Sequence, residues 1–284
     1  MLGGFQFNMN YLIAGASGHG KSYLLNMLLR DFTSPAYNPE TTIPTKLLHF
    51  SLEMSTTMEL LRRVSSLAKV PLSRILQADE PLNEVHQAMI YDQLKAVNEP
   101  SLYYVDTPGN RQQIVHTILE FIGRHPGCRY VVCLDHTLLV QAMPREDEIT
   151  TIAELGKVFI TLRKKFPIMF ISLGQLNDKI ESEKRRDPDA PHLHYPTKTD
   201  IHGSKQLYHA MDTVMVLHQP AELGIENYGR RGIPTRDLVA LHYLKQRHSQ
   251  SGIVLLKNNL KNGTFEEYEL PSAAQNSNRN NYGI

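Results

Sequence analysis

The chain has 284 residues, 41% of them hydrophobic, which is enough for a sizeable core in one large α/β domain. Its 30 Lys and Arg nearly cancel its 29 Asp and Glu, so a formal net charge of +1 excludes a global polyanion-binding character and leaves nucleic-acid contact to local patches. Only two cysteines occur, Cys128 and Cys133, which excludes a disulfide framework; no apolar run of membrane-span length and no signal-peptide pattern is present, so a soluble, cytoplasmic protein with no membrane contact is expected.

In chain order, the apolar run "MNYLIA" (9 to 14) stops at "GASGHGKS" (15 to 22), which meets the pattern G-x-x-x-x-G-K-[ST] in full. "GKSYLLNMLLRDF" after it has the spacing of an amphipathic helix, giving the strand, loop and helix that a phosphate loop requires. In such loops backbone N–H groups wrap phosphates, the lysine reaches the terminal phosphates and the hydroxyl holds Mg²⁺. Gly15, Ser17, Gly18, Gly20, Lys21, Ser22 and Tyr23 are therefore the candidate nucleotide-binding positions, and Ser22 a candidate Mg²⁺ ligand.

Strand-length runs follow at "KLLHFSL" (46 to 52), "SLYYVD" (101 to 106), "RYVVCLD" (129 to 135) and "IMFISL" (168 to 173), with helical patterns between them. Over 152 to 166, Ile152, Leu155, Val158, Phe159, Leu162 and Phe166 share one helix face. Strands that are apolar throughout, alternating with helices, predict a parallel sheet covered on both sides. Asp135 ends one such strand at the edge where open α/β sheets bind ligands, and is the candidate Mg²⁺ carboxylate. Glu53, in "FSLEM", lies just past another strand and is a candidate base; Gln175, in "SLGQLN", lies past a third and could touch the γ-phosphate. "DTPG" (106 to 109) resembles the metal-binding turn of GTPases, but no N-K-x-D segment accompanies it, and it reads as a turn leading from strand to helix.

Irregular, Pro-rich stretches are expected over 176 to 200 and 219 to 236. "DTVMVLH" (212 to 218) is a further strand, and "DLVALHYLKQR" (237 to 247), "GIVLLKN" (252 to 258) and "TFEEYEL" (264 to 270) should add an antiparallel extension, since no helix-length segment separates them. Lys245 and Arg247, two apart on an extended strand, leave one face and suit charge stabilisation across a subunit interface. The last residues, 271 to 284, are polar and are expected to be a disordered tail.

The ordered set GASGHGKS, FSLEM, a buried strand ending in Asp135, SLGQLN, KTDIHGSKQLYHAMDTVMVLH and LKQRHSQSG resembles the motor domain of the DnaB-like replicative DNA helicases, over nearly the whole chain. The resemblance implies a RecA-like P-loop NTPase fold over 1 to 270, a mostly parallel sheet flanked by helices with a C-terminal antiparallel extension. It implies ATP and Mg²⁺ as cofactors, single-stranded DNA and a hexameric ring of identical subunits as partners, with a primase or helicase loader as a further partner. By the same resemblance Lys21 and Ser22 bind phosphate and Mg²⁺, Glu53 polarises the attacking water, Asp135 supports the metal, and Gln175 couples nucleotide state to DNA loops. Lys245 and Arg247 reach the neighbouring subunit's ATP, while Lys198, His202, Ser204 and Lys205 are candidate contacts to the DNA backbone.

Two departures from the family pattern bear on these expectations. The DNA loop here reads "DIHGSKQ" where the family's reads more like D-L-R-E-S-G, and residues 178 to 189 carry four basic and five acidic residues, with no net attraction for DNA. The chain also opens only a few residues before its first strand, so the ring is expected either to use contacts other than the family's N-terminal domain and linker helix, with or without a partner protein's help, or to be weak, which would suit a phage or mobile-element protein. Two other readings are a RecA-fold ATPase that remodels or loads partners or binds DNA without unwinding, and a GTPase resting on DTPG.

Overall fold

The computed structural model describes residues 4–34, 43–77, 81–97, 101–203 and 205–268, the side chains of 95–97, 205 and 206 excepted. The expected tail and Glu269 and Leu270 of the last expected strand lie outside the described residues.

A nine-stranded sheet forms the centre. Its first strands are β1 (Asn10–Gly15), β2 (Thr45–Ser51), β3 (Leu102–Val105), β4 (Arg129–Asp135), β5 (Ile168–Gln175) and β6 (Thr213–His218). A separate two-stranded hairpin, β7 (Asn227–Tyr228) and β8 (Ile233–Pro234), precedes β9 (Leu238–Gln246), β10 (Gly252–Asn259) and β11 (Thr264–Glu267). The helices are α1 (Lys21–Thr33), α2 (Thr56–Ala68), α3 (Leu72–Leu76), α4 (Glu84–Val97), α5 (Arg111–Arg124), α6 (Glu148–Lys165) and α7 (Lys205–Ala210).

Across the sheet the order is β11-β10-β9-β6-β1-β5-β4-β2-β3. The strands from β6 to β3 run parallel, while β9 is antiparallel to β6, and β10 and β11 continue the alternation. The expected mostly parallel sheet with an antiparallel extension is therefore what forms, and the extension begins at the β6–β9 pair.

Side chains alternate across each strand into two packing layers, as period-2 geometry requires. Tyr11 and Ile13 of β1 join Leu25 and Leu29 of α1 on one side. Leu12 and Ala14 face the other side, where Ile152 of α6 and Leu207 and Ala210 of α7 pack. β4 divides likewise, with Val131 and Cys133 toward α1 and Val132 and Leu134 toward α5 and α6. Burial of both faces is why these strands read as unbroken apolar runs. α6 is longer than the face expected from sequence, starting at an Asp147 cap that accepts from the Thr150 N–H, and Phe166 stands just past its last residue.

Candidate functional site

Parallel strands bring their carboxyl ends to one edge, and four of the candidate residues meet there. In sheet order come Gly15 at the end of β1, Gln175 at the end of β5 and directly opposite Gly15, Asp135 at the end of β4, and Glu53 just past β2. Sequence-distant residues thus line one crevice, the usual ligand position of an open α/β sheet.

The loop from β1 to α1 has Ser17 and Gly18 exposed at its apex, and Gly20 as the residue preceding the helix, at φ 87°. An added Cβ at Gly20 would stand 2.8 Å from the Phe265 ring and 3.0 Å from Leu260, so this position needs both glycine's left-handed freedom and its missing side chain. α1 has no side-chain cap, leaving its first N–H groups and the positive end of its dipole directed at the crevice. Lys21 is buried and donates to the Gly15 and Ala16 carbonyls at 2.9 and 2.8 Å, folding back over the phosphate loop. Burial lowers its pKa, against the opposing fields of Asp135 and Glu53. The Tyr23 ring lies beneath the Arg62 guanidinium and beside Gly263, so what Tyr23 offers a phosphate is its backbone N–H.

Ser22 Oγ donates to Asp135 Oδ2 at 2.7 Å, joining the loop to β4. Asp135 is buried and its other oxygen, Oδ1, has no hydrogen-bond partner. Burial accordingly raises its pKa, the Ser22 bond opposing. A hydroxyl and a buried carboxylate with an oxygen to spare, beside a phosphate loop, fit a hard, oxygen-seeking cation such as Mg²⁺. Glu53 is half-exposed, and one of its oxygens stands 3.8 Å from His136 Nε2. His136 was not singled out by sequence, although its place directly after Asp135 was the available signal.

The other edge holds the cations. β9 runs opposite to β6, so its last residues pair with Thr213, at the start of β6, roughly 17 Å along the strands from the crevice edge. Leu244 bulges where the β6–β9 register slips, and the strand ends at Gln246. Lys245 Nζ donates to the Tyr208 and His209 carbonyls of α7 and lies over the Tyr208 ring, so its charge is engaged inside the subunit. Arg247 pairs with Asp212 Oδ1 at 2.8 Å while staying 53% exposed. Asp212 is itself buried, bonded also to Arg163 and the Asn10 N–H, a holder for Arg247 that no local sequence pattern marks.

The candidate DNA loop is tied to the crevice through β5. Leu176 bridges Ile201, the His202 N–H donates to the Gln175 carbonyl at 2.9 Å, and the Asn177 N–H donates to the Asp200 carbonyl. Buried Asp200 takes two 2.7 Å bonds from Arg185, which also donates to the Leu193 and Tyr195 carbonyls. Arg186 donates to the Glu181 carbonyl at 3.0 Å, so two of the four basic residues of 178 to 189 are used internally. Lys198 and His202 are exposed; Ser204 lies outside the described residues, as does the Lys205 side chain. DTPG leads from the edge strand β3 into α5, the expected turn from strand to helix, and its Asp106 accepts from the Thr56 N–H and hydroxyl at the start of α2, a contact that the sequence did not mark.

The family described as DnaB-like helicase C terminal domain matches the chain over residues 1–267. Among similar proteins, the replicative DNA helicase DnaB of Haemophilus influenzae is 26% identical over 228 residues, 78% of this chain and 44% of the relative. That of Buchnera aphidicola subsp. Baizongia pistaciae is 26% identical over 237 residues, 81% of this chain and 47% of the relative. The chain thus spans about half the length of these curated relatives. Among solved structures, an isolated ATPase domain superposes with a TM-score of 0.77 at 18% identity, over 92% of this chain and 85% of that one. A DnaB-like replicative helicase, solved in a study of its interactions with primase, superposes with a TM-score of 0.78 at 18% identity, over 94% and 59%. Both likenesses are to the RecA-like fold. Among the described residues no helix is long and apolar enough to cross a membrane.

Proposed function

The chain belongs to the DnaB-like helicase C-terminal domain family, and from that premise we propose that it is an ATP-hydrolysing DNA motor, residues 1 to 270 forming its ATPase domain. It hydrolyses ATP between subunits of a hexameric ring and moves along single-stranded DNA during replication in the cytoplasm, with a primase or loader as a further partner. The observation that carries the reading is the division of candidates between two sheet edges. Lys21, Ser22, Gln175, Asp135 and Glu53 gather at one, and Arg247 stands at the other, a separation that supports service to a neighbour's nucleotide.

Lys21 exchanges the Gly15 and Ala16 carbonyls for the terminal phosphates, and the open start of α1 receives phosphate oxygens. Ser22 and Asp135 would hold Mg²⁺, which supplies charge neutralisation to the phosphates. Glu53 accepts a hydrogen bond from the attacking water and orients it, with His136 beside its carboxylate. Gln175 meets the γ-phosphate, and its carbonyl carries any shift of β5 to His202. Arg247 of the adjoining subunit offsets charge developing on the γ-phosphate, held to its own chain by Asp212. Lys198, His202, Ser204 and Lys205 contact DNA phosphates without reading bases.

The test is ATP turnover with and without single-stranded DNA, with oligomeric state followed by light scattering. DNA-stimulated turnover in an ATP-dependent ring is expected, and turnover indifferent to DNA would overturn the motor reading. Mixing Lys21→Ala with Arg247→Ala subunits, each inactive alone, should restore part of the activity at mixed interfaces. No recovery would remove the basis for action between subunits.

A further inference from the structure

His202 makes a contact that a DNA-binding role does not by itself require. Its Nε2 lies 2.9 Å from Oε1 of Glu148, the first residue of α6. The backbone around His202 is fixed without this bond: its N–H is on Gln175, Ile201 bridges Leu176, and Asp200 is held by Arg185. Gly203 then turns the chain at φ 109°, where an added Cβ would stand 3.4 Å from Ile152, one helical turn beyond Glu148. The imidazole is therefore the movable part of a fixed residue, 42% exposed against a partner that is 51% exposed.

We infer that Glu148 is a positioning residue for DNA contact: in the DNA-free protein its carboxylate occupies the His202 imidazole, and a phosphate of the incoming strand displaces it. The inference rests on reading this loop as the DNA-contacting one. Carboxylate and phosphate oxygens accept the same imidazole N–H, so the exchange substitutes one anionic acceptor for another. A pair this exposed is worth little, which makes the exchange inexpensive.

A double-mutant cycle tests this, reading the anisotropy of a labelled oligo-dT strand bound to the full chain with a non-hydrolysable ATP analogue. Glu148→Gln should tighten binding about 2- to 5-fold, His202→Gln should weaken it, and the double variant should match His202→Gln alone. An equal gain from Glu148→Gln in the His202→Gln background would reveal a general charge effect and overturn the inference, as would no gain in either background. Additive behaviour in a protein that binds DNA removes only this inference. A wild-type protein that binds no single-stranded DNA removes the motor reading and this inference together.

Discussion

Asp135 has one oxygen on Ser22 and one buried without a partner, and that asymmetry is the most specific chemical statement a single residue makes here. A buried carboxylate left half-satisfied is costly unless something else completes it. Asp135→Asn is therefore expected to keep the fold and make nucleotide affinity insensitive to Mg²⁺, read by titrating a fluorescent ATP analogue with and without the metal. Glu53→Gln removes the proposed base while preserving shape, so turnover should fall on the order of 10²- to 10⁴-fold with nucleotide binding retained. A loss below about tenfold would assign water activation elsewhere. The placement of Glu53 and Asp135 was legible in sequence because one stands just past a buried strand and the other ends one, and a strand end fixes position even when neither partner nor orientation is known. The bonds that orient them were not legible, since Ser22 and Asp135 are joined across 113 residues.

At the scale of elements, the phosphate loop is shaped by its own glycines and by the C-terminal hairpin that closes on it. Gly20→Ala sets a methyl group against Phe265 at a left-handed φ, and nucleotide binding should be lost at a stability cost of about 1 kcal/mol or more. Circular dichroism separates that outcome from global unfolding. Asp106→Ala removes the acceptor of the Thr56 N–H and hydroxyl at the start of α2, whose cap is Ser55, and should lower the melting temperature only slightly without changing the preference for ATP over GTP. Hydrolysis that depended on Asp106 would instead revive the GTPase reading. The parallel strands were readable because both faces are buried, whereas β7 and β8 were not, being two residues each. Their fold comes from distant bonds, Tyr228 with His242 and the Gly229 N–H to His194, which no local pattern encodes. The Arg185–Asp200 pair escaped notice for the same reason, as its members sit in an irregular stretch with no period to align them.

The molecule as a whole buries several imidazoles in neutral form. Burial pushes His49 and His242 down to about 3 from an ordinary 6.5, and neither ring nitrogen of His49 has a hydrogen-bond partner. The unfolded chain takes up these protons near pH 6.5 and the native chain does not, so this stability is complete above that pH. It falls by about 1.4 kcal/mol per pH unit per histidine as pH drops toward 3. Thermal denaturation at pH 7, 6 and 5 should show the decline, and His49→Leu should flatten it by one proton's slope. An unchanged slope would mean that the unfolded state does not set the difference.

The separation of Lys21 and Arg247 to opposite edges of one sheet also bears on how activity scales with dilution. If a working centre is shared by two copies, the catalytic unit is a junction, and specific activity counts junctions instead of chains. A closed ring has one junction per subunit, while an open fragment has one fewer. Turnover per chain should therefore fall on dilution in step with ring opening, before the subunits themselves unfold.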